Sequence, residues 1–353
     1  SNDPREAPRA MTADLMARVT GRAGHITLNR PKALNALTHQ MCLDIETALD
    51  AWRDDDAIAL ILIDAEGERA FCAGGDIAKM YETGRAGDFS YGRQFWRDEY
   101  RLNAKLATYP KPIVTFLQGF TMGGGVGIGC HASHRIVGET SQISMPEVSI
   151  GLVPDVGGTL LLARAPGHCG EYLALTAERM DAASAIYAGF ADSFLAESAW
   201  EQAKTEICAS GAVPDFATAP APSALAEDQG AIDAHFAHSS LTDIHRALST
   251  GRTNFCKNSC ARVEKHSPLA METALRIIRL VRETPAIEHA LALEYRSTAR
   301  AMEHGDFLEG IRAQIIDRDK NTVWRHAMGN AGDAAEAMLA PLPDMIPPLE
   351  LAP

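Results

Sequence analysis

The chain has no apolar run of about 18 residues, so no membrane-crossing helix is expected. It also lacks a basic balance: 33 Lys and Arg against 46 Asp and Glu leave a formal charge of -13. General nucleic-acid binding asks for a basic face, and this composition argues against it. A local anion site is still compatible, because a donor such as Lys32 acts at short range whatever the global sign. The seven cysteines have no paired spacing, which argues against a disulfide framework and reads as reduced thiols in a cytoplasmic protein. The opening SNDPREAPRA has no apolar signal-peptide core. Residues 1–13 therefore read as disordered or as a cloning remnant. No metal site is expected. His131 and His134 form an H-x-x-H pair, whereas helical metal pairs prefer i, i+4 with a further ligand, so both read as structural. A G-x-S-x-G elbow is missing too, which argues against a serine hydrolase of the α/β class.

Glycine is what the chain has, in two telling places. Gly123, Gly124 and Gly125 remove every side chain from one backbone segment, so a ligand can approach its amides. They follow the apolar run Ile113 to Leu117. The segment Phe71-Cys72-Ala73-Gly74-Gly75-Asp76-Ile77 likewise follows the apolar run Ile58 to Ile63. One glycine cluster after a strand is an ordinary turn; two suggest bare amides that serve an oxyanion. A dinucleotide-binding reading of GGGVGIG is disfavoured, because no acidic ribose ligand follows at the right distance.

Downstream, Glu147 and Asp155 lie in apolar surroundings punctuated by Gly151 and Pro154, which favour a turn. Glu147 reads as a partly buried carboxylate with a raised pKa. Asp155 has a strong alternative as the N-cap of a helix holding Leu160 to Leu162. Phe95, Glu99, Leu102 and Leu106 share one helical face, which points Glu99 where a core side chain would lie. Paired carboxylates beside bare amides are the means to move protons or water at a carbonyl.

Periodicity supplies the frame. Met16 to Leu28 reads as two strands around a turn at Gly21 to Gly24, and Thr38 as the N-cap of a helix with Met41, Ile45, Leu49 and Trp52 inward. Tyr91 to Thr108 reads as a long helix and Ser267-Pro268 as another helix start. Ser210 to Asp228, rich in Ala and Pro, reads as a surface loop or linker. The class is α/β, and the pattern alone leaves a stacked ββα spiral and a doubly wound sheet both open.

The motifs NRPKALNAL (29–37), FCAGGDI (71–77), RDEYRLN (97–103), TMGGGVG (121–127), MPEVSIGLVPDVGG (145–158) and DFLEGIRAQIIDRDK (306–320) carry a family likeness. The chain resembles the crotonase, or enoyl-CoA hydratase/isomerase, superfamily from about Leu15 to Trp324. That resemblance implies a crotonase-type ββα spiral core over 14–205, a linker or insert with helices over 206–265, a helical region over 266–330 and an extended tail over 331–353. It implies backbone N–H donors at Cys72 and Gly124 for an oxyanion. It implies CoA contacts at Lys32, Ala33 and Leu34 and at Ala73, Gly74, Gly75, Asp76 and Ile77. Glu99 is implied as a substrate contact, and Glu147 and Asp155 as the catalytic carboxylates.

Within the superfamily the chain looks most like the 3-hydroxyisobutyryl-CoA hydrolase branch, which implies thioester hydrolysis in valine catabolism. Hydratases carry a glutamate two residues after the triple glycine, and Gly127 stands there. The alternatives are a hydratase or isomerase of the same fold, and a catalytically silent CoA-binding protein. CoA is expected as part of the substrate with no separate cofactor, and a homo-oligomer is possible for this superfamily.

Overall fold

The computed structural model describes residues 11–216 and 222–351. Its strands are β1 (Met11–Thr12), β2 (Leu15–Thr20), β3 (Ala23–Leu28), β4 (Leu60–Ala65), β5 (Ala70–Cys72), β6 (Ile113–Leu117), β7 (Phe120–Met122), β8 (His134–Val137), β9 (Gln142–Ser144) and β10 (Ser193–Phe194). The chain divides into two compact units. The first takes Ser1–Asp76, Arg101–Ile143 and Met180–Ser223, and the second takes Ile77–Tyr100, Ser144–Arg179 and Ala224–Pro353. Among the described residues no helix is long and apolar enough to cross a membrane.

In the first unit, seven strands pair in the order β1-β2-β3-β4-β6-β8-β10. β2 and β3 form an antiparallel hairpin in register from Leu15↔Leu28 to Thr20↔Ala23. From β3 onward through β4, β6, β8 and β10 the pairing is parallel. Strands covered on both faces need apolar side chains on both, which is why β4 and β6 read as nearly continuous hydrophobic runs, interrupted at Asp64 and Thr115. Leu62, Val114, Phe116 and Ile136 pack against Trp200 and Ile207 of the helix Trp200–Ser210. Each such side chain contributes roughly 1.5–3 kcal/mol by leaving water. The helix His39–Arg53 starts where Thr38 Oγ1 accepts the Met41 N–H at 3.1 Å, and Met41, Ile45, Leu49 and Trp52 are all buried. A second sheet has the order β5-β7-β9, and its β5 and β7 run parallel into the two glycine-rich turns.

The second unit is mainly helical. Ser267 Oγ caps the helix Pro268–Glu283 by accepting the Ala270 N–H at 3.1 Å, with Pro268 in the first turn. That helix buries Leu269 against Ala331, Ala335 and Met338. The last two belong to a helix, Gly332–Leu339, so the tail expected to be extended over 331–353 begins helically. The reason is the run Ala334, Ala335, Ala337 with Met338, which combines good helix propensity with a small apolar face to bury. Residues 340–351 carry no helix.

Other expectations are refined at the chain's ends and linker. Residues 1–10 of the expected disordered start lie outside the described residues, whereas Met11–Thr12 pairs with β2. In the stretch read as a linker, Ala224–Glu227 is helical and 217–221 lie outside the described residues.

Candidate active site

The first unit brings the two glycine-rich turns together. Cys72 ends β5, and Gly124 begins the short helix Gly124–Gly129 that follows β7. The join is at Gly123, with φ 50° and ψ −116°, backbone that side-chain-bearing residues avoid. A Cβ on Gly125 would lie 2.0 Å from the Cys72 carbonyl oxygen, so the first turn of the helix rests on the Cys72 backbone. As the first helical residue, Gly124 has no acceptor for its N–H inside its own helix. The Cys72 thiol is directed at the Gly74 carbonyl, 3.6 Å away.

The segments expected to contact CoA also meet in this unit. The Ala73 N–H donates to the Leu34 carbonyl at 3.0 Å, the Leu37 N–H to Gly74 at 2.8 Å and the Asp76 N–H to Leu37 at 2.8 Å. Lys32 and Ala33 are exposed, Leu34 and residues 73–77 half-buried. The pin is Asn35, left-handed at φ 54° and fully buried. Its side chain donates to the Glu66 and Ala70 carbonyls at 2.9 Å each and accepts the Arg30 N–H at 2.7 Å. Arg30 in turn reaches Asp76 Oδ2 at 3.1 Å.

The second unit holds the carboxylates. Glu99, Glu147 and Asp155 are buried at 4, 5 and 5% exposure, although nothing in composition obliges a carboxylate to be inside. Glu147 opens a one-turn 3-10 helix, Glu147–Ile150, after Pro146. Gly151 then turns the chain at φ 74°, where a Cβ would lie 2.3 Å from the Asp306 carbonyl oxygen. Neither oxygen of Glu147 has a hydrogen-bond partner of good geometry among the described residues. Burial, and then the charge of Asp155, push Glu147 well above the ordinary carboxylate range. The same two causes, in the same order, raise Glu99. Burial raises Asp155 itself to about 7, against the lowering effect of its hydrogen bond from Tyr100. Among the described residues no cation contributes to any of these three. The three carboxylates picked out along the sequence are therefore one electrostatic group, in which the charge of Asp155 opposes ionisation of Glu99 and Glu147.

Two members were not singled out in the sequence. Tyr100 donates its hydroxyl to Asp155 Oδ2 at 2.6 Å and lies 3.1 Å from Thr298 Oγ1. A phenol has one proton, so with that proton on Asp155 the tyrosine oxygen accepts from Thr298. Glu294 is fully buried on the helix Ile287–Ala301. Its Oε1 accepts the Gly157 N–H at 2.8 Å, and its Oε2 accepts the Thr159 N–H at 3.3 Å and the Thr159 hydroxyl. Burial raises Glu294 to about 8, against the lowering effect of these donors. The alternative role for Asp155 as a helix cap is thus taken by another residue. The helix Gly158–Arg164 has Gly157 at its N-cap with no side-chain cap of its own, and Glu294 meets its first amides. Tyr100 was adjacent to Glu99 in RDEYRLN and detectable there, whereas no local pattern marks Glu294.

His134 Nδ1 is 2.9 Å from Ser133 Oγ, a structural contact. Among the described residues one group, His245, Cys260 and Glu264, places potential metal-ligand atoms within 4.8 Å of one another. Hydrogen bonds already link them, His245 Nε2 to Glu264 Oε1 at 3.0 Å and Cys260 Sγ to the same oxygen at 3.4 Å.

Residues 23–338 match the enoyl-CoA hydratase/isomerase family. The 3-hydroxyisobutyryl-CoA hydrolase of Gallus gallus, described as mitochondrial, is 35% identical over 89% of this chain and 85% of its own. The Danio rerio protein of the same description is 36% identical over the same shares. Among solved structures, one described as an enoyl-CoA hydratase from Rhodobacter sphaeroides 2.4.1 is 50% identical, with TM-score 0.90 over 93% of this chain and 98% of that one. Another, described as a carnitinyl-CoA dehydratase from Mycobacterium thermoresistibile, is 37% identical with TM-score 0.90 over 96 and 99%. The cytoplasmic address read from unpaired cysteines is overturned by relatives described as mitochondrial. Seven cysteines outside any disulfide carry no compartment address. The crotonase-type α/β fold with its ββα spiral core and helical C-terminal region is shared with these structures, and the chain belongs to the enoyl-CoA hydratase/isomerase family.

Proposed function

We propose that the chain is a CoA-thioester hydrolase that converts 3-hydroxyisobutyryl-CoA and water to 3-hydroxyisobutyrate and CoA, a step of valine breakdown. CoA enters as part of the substrate and no separate cofactor is required. The observation that carries this reading is the identity of the charge acting on Glu147. The largest such charge is Asp155 of the same unit, ahead of Glu294 and Glu99, while the helix Gly124–Gly129 has Gly127 where a hydratase places its partner glutamate. The names of curated relatives from animals and Arabidopsis thaliana agree with it.

The chemistry follows from the carboxylate group. When Asp155 holds a proton, the largest of the charges that oppose ionisation of Glu147 is removed, while burial and the smaller effects of Glu294 and Glu99 remain. Glu147 can then act in either of two ways. As a general base it takes a proton from water, whose oxygen adds to the thioester carbon. As a nucleophile it adds to that carbon itself and forms a mixed anhydride, which water opens. In both, the C–S bond breaks and CoA leaves as thiolate, a leaving group good enough to need no strong acid. Negative charge on the carbonyl oxygen is assigned to the N–H groups of Cys72 and Gly124, and each such donor typically supplies about 2.7–4 kcal/mol. Glu99 is assigned to the substrate's 3-hydroxyl. A site built to bond a hydroxyl rejects the analogue lacking it by roughly 10⁴-fold.

The second reading, hydration of an enoyl thioester, is favoured by the 50% identical structure, which is described as a hydratase. A thiol reagent with 3-hydroxyisobutyryl-CoA, isobutyryl-CoA and crotonyl-CoA separates the two. The hydrolase releases free CoA from the first far faster than from the second and leaves enoyl absorbance unchanged. Loss of enoyl absorbance without thiol release would establish the hydratase instead. Glu147→Gln should lower hydrolysis by orders of magnitude with CoA affinity retained. In ¹⁸O-water a single turnover labels the Glu147 carboxylate only by the anhydride route.

A further inference from the structure

We propose that Glu294 is the positioning residue of Asp155: its carboxylate clamps the turn 155–159 through backbone amides and holds a strained conformation that aims Asp155 at Tyr100. The inference rests on the assignment of Asp155 above and adds the residue that makes its placement possible.

The turn needs holding. Val156 has φ 54°, left-handed backbone that a β-branched residue resists, and Gly157 follows at φ 74°. A residue in such a region is strained and persists only where its surroundings over-determine it. The turn aims the Gly157 and Thr159 N–H groups at one side chain, while the Gly158 N–H between them donates to the Asp155 carbonyl at 2.7 Å. Glu294 supplies the acceptors. Both its oxygens are used, one by Gly157 and one by the amide and hydroxyl of Thr159. Among the described residues no other side chain caps the helix Gly158–Arg164, so without Glu294 these buried donors are orphaned.

The same helix reaches Asp155 from a second direction. Thr298 lies four residues after Glu294, one turn along the same helical face, and contacts Tyr100, whose hydroxyl donates to Asp155. One face of Ile287–Ala301 thus sets both the backbone beneath Asp155 and the donor opposite its carboxylate. Asp155 sits two residues before the nearest clamped amide, so a change in the turn is passed along the backbone to its side chain.

Two acceptor oxygens are required. An amide in the same place keeps one acceptor oxygen but turns an NH2 toward N–H donors. Glu294→Gln should therefore free the turn while leaving size and packing unchanged.

The test has a readout independent of the reaction. In hydrogen exchange by mass spectrometry, the peptide spanning 155–161 of free Glu294→Gln should exchange at least about tenfold faster than in the unaltered protein, with the peptide spanning 268–283 unchanged. Unchanged exchange at 155–161 overturns the clamp. With 3-hydroxyisobutyryl-CoA, Glu294→Gln should lower kcat about tenfold or more and leave KM within about threefold. Added to Asp155→Asn it should cost less than about threefold further, because one residue acts through the other. Independent, multiplicative losses overturn the positioning role. Thr159→Val removes one donor without changing side-chain size. If Glu294→Gln does not fold, Thr159→Val should show the same faster exchange and a smaller loss of kcat, and its absence counts against the proposal. Failure of the unaltered protein to release thiol from any thioester would refute the hydrolase reading, and the exchange measurement would still decide the clamp.

Discussion

The Tyr100 hydroxyl stands 2.6 Å from Asp155 Oδ2, with Tyr100 fully buried and Asp155 nearly so. Burial and then the charge of Asp155 push the phenol well above its ordinary pKa, so it remains a donor across the physiological range. The bond favours the ionised form of Asp155, yet burial still raises that group to about 7. Asp155 is thereby poised to gain or lose a proton near neutrality, which is what a group working beside Glu147 needs.

Tyr100→Phe keeps the ring and removes this donor. Asp155 should titrate at higher pH, because a hydrogen bond to the charged form lowers a carboxyl pKa. Thioester hydrolysis should fall about tenfold to a hundredfold, the usual worth of a buried bond to a charge. The pH–rate limb tied to Asp155 should move upward. A profile superimposable on that of the unaltered enzyme would detach Tyr100 from the chemistry.

Asn103, one helical turn after Glu99, is fully buried, and among the described residues neither its amide oxygen nor its nitrogen has a hydrogen-bond partner. A buried orphan amide costs about 1–3 kcal/mol unless a ligand or water meets it, and leucine has a similar shape without that cost. Asn103→Leu should raise the thermal midpoint by several degrees and lower hydrolysis of the 3-hydroxyacyl thioester. A destabilised variant with full activity would mean the amide has a structural partner.

Gly125→Ala tests the contact between the two glycine-rich turns. The new methyl would lie 2.0 Å from a backbone oxygen of Cys72, which cannot rotate away. Stability should drop by about 1–3 kcal/mol. Hydrolysis should drop about 10²-fold or more if an oxyanion donor is displaced, with CoA still bound. Gly230→Ala, where nothing lies within 4 Å of the added Cβ, is the control and should leave activity unchanged.

Stability should depend on pH in two opposite windows. Asp155 and Glu294 are raised from 3.8 to about 7 and from 4.5 to about 8, so the folded chain binds protons that the unfolded chain has released. Their contribution is complete below about pH 4 and is lost as pH rises through about 7 to 8. Asp64 is lowered to about 2 by His25 and Lys204, against the opposing effect of its own burial. The Arg282 guanidinium likewise lowers Glu171 against its burial. These contributions are lost on going down through the acid range instead. Thermal midpoints should therefore peak in mildly acidic buffer and decline toward pH 8. Glu294→Gln, which is always neutral, should flatten the alkaline decline. A midpoint that rises steadily from about pH 5 to about pH 8 would contradict this ordering.

Local pattern was enough for much of this protein. The apolar runs of β4 and β6, the Thr38 and Ser267 caps and the inward stripe from Met41 to Trp52 are short-range consequences of side-chain chemistry, and all stand in the structure. The glycines at 123–125 and the carboxylates Glu99, Glu147 and Asp155 were legible because glycine permits backbone that other residues refuse and because apolar neighbours are unusual company for a charge. The helix Gly332–Leu339 was misread because proline-rich flanks outweighed a short alanine-rich segment whose stability comes from Leu269, far away in sequence.

Which groups those residues meet was decided by tertiary structure alone. That Asp155 is met by Tyr100, that Glu294 rather than Asp155 caps the helix Gly158–Arg164, and that Asn35 pins Arg30 to Ala70 all join positions far apart along the chain. Hydrogen bonds and burial energies fall off within a few ångströms, so they depend on spatial neighbours that no window of sequence contains. The sequence determined which atoms were available for chemistry; the fold determined their protonation, because a carboxylate's charge depends on how much water and which dipoles surround it.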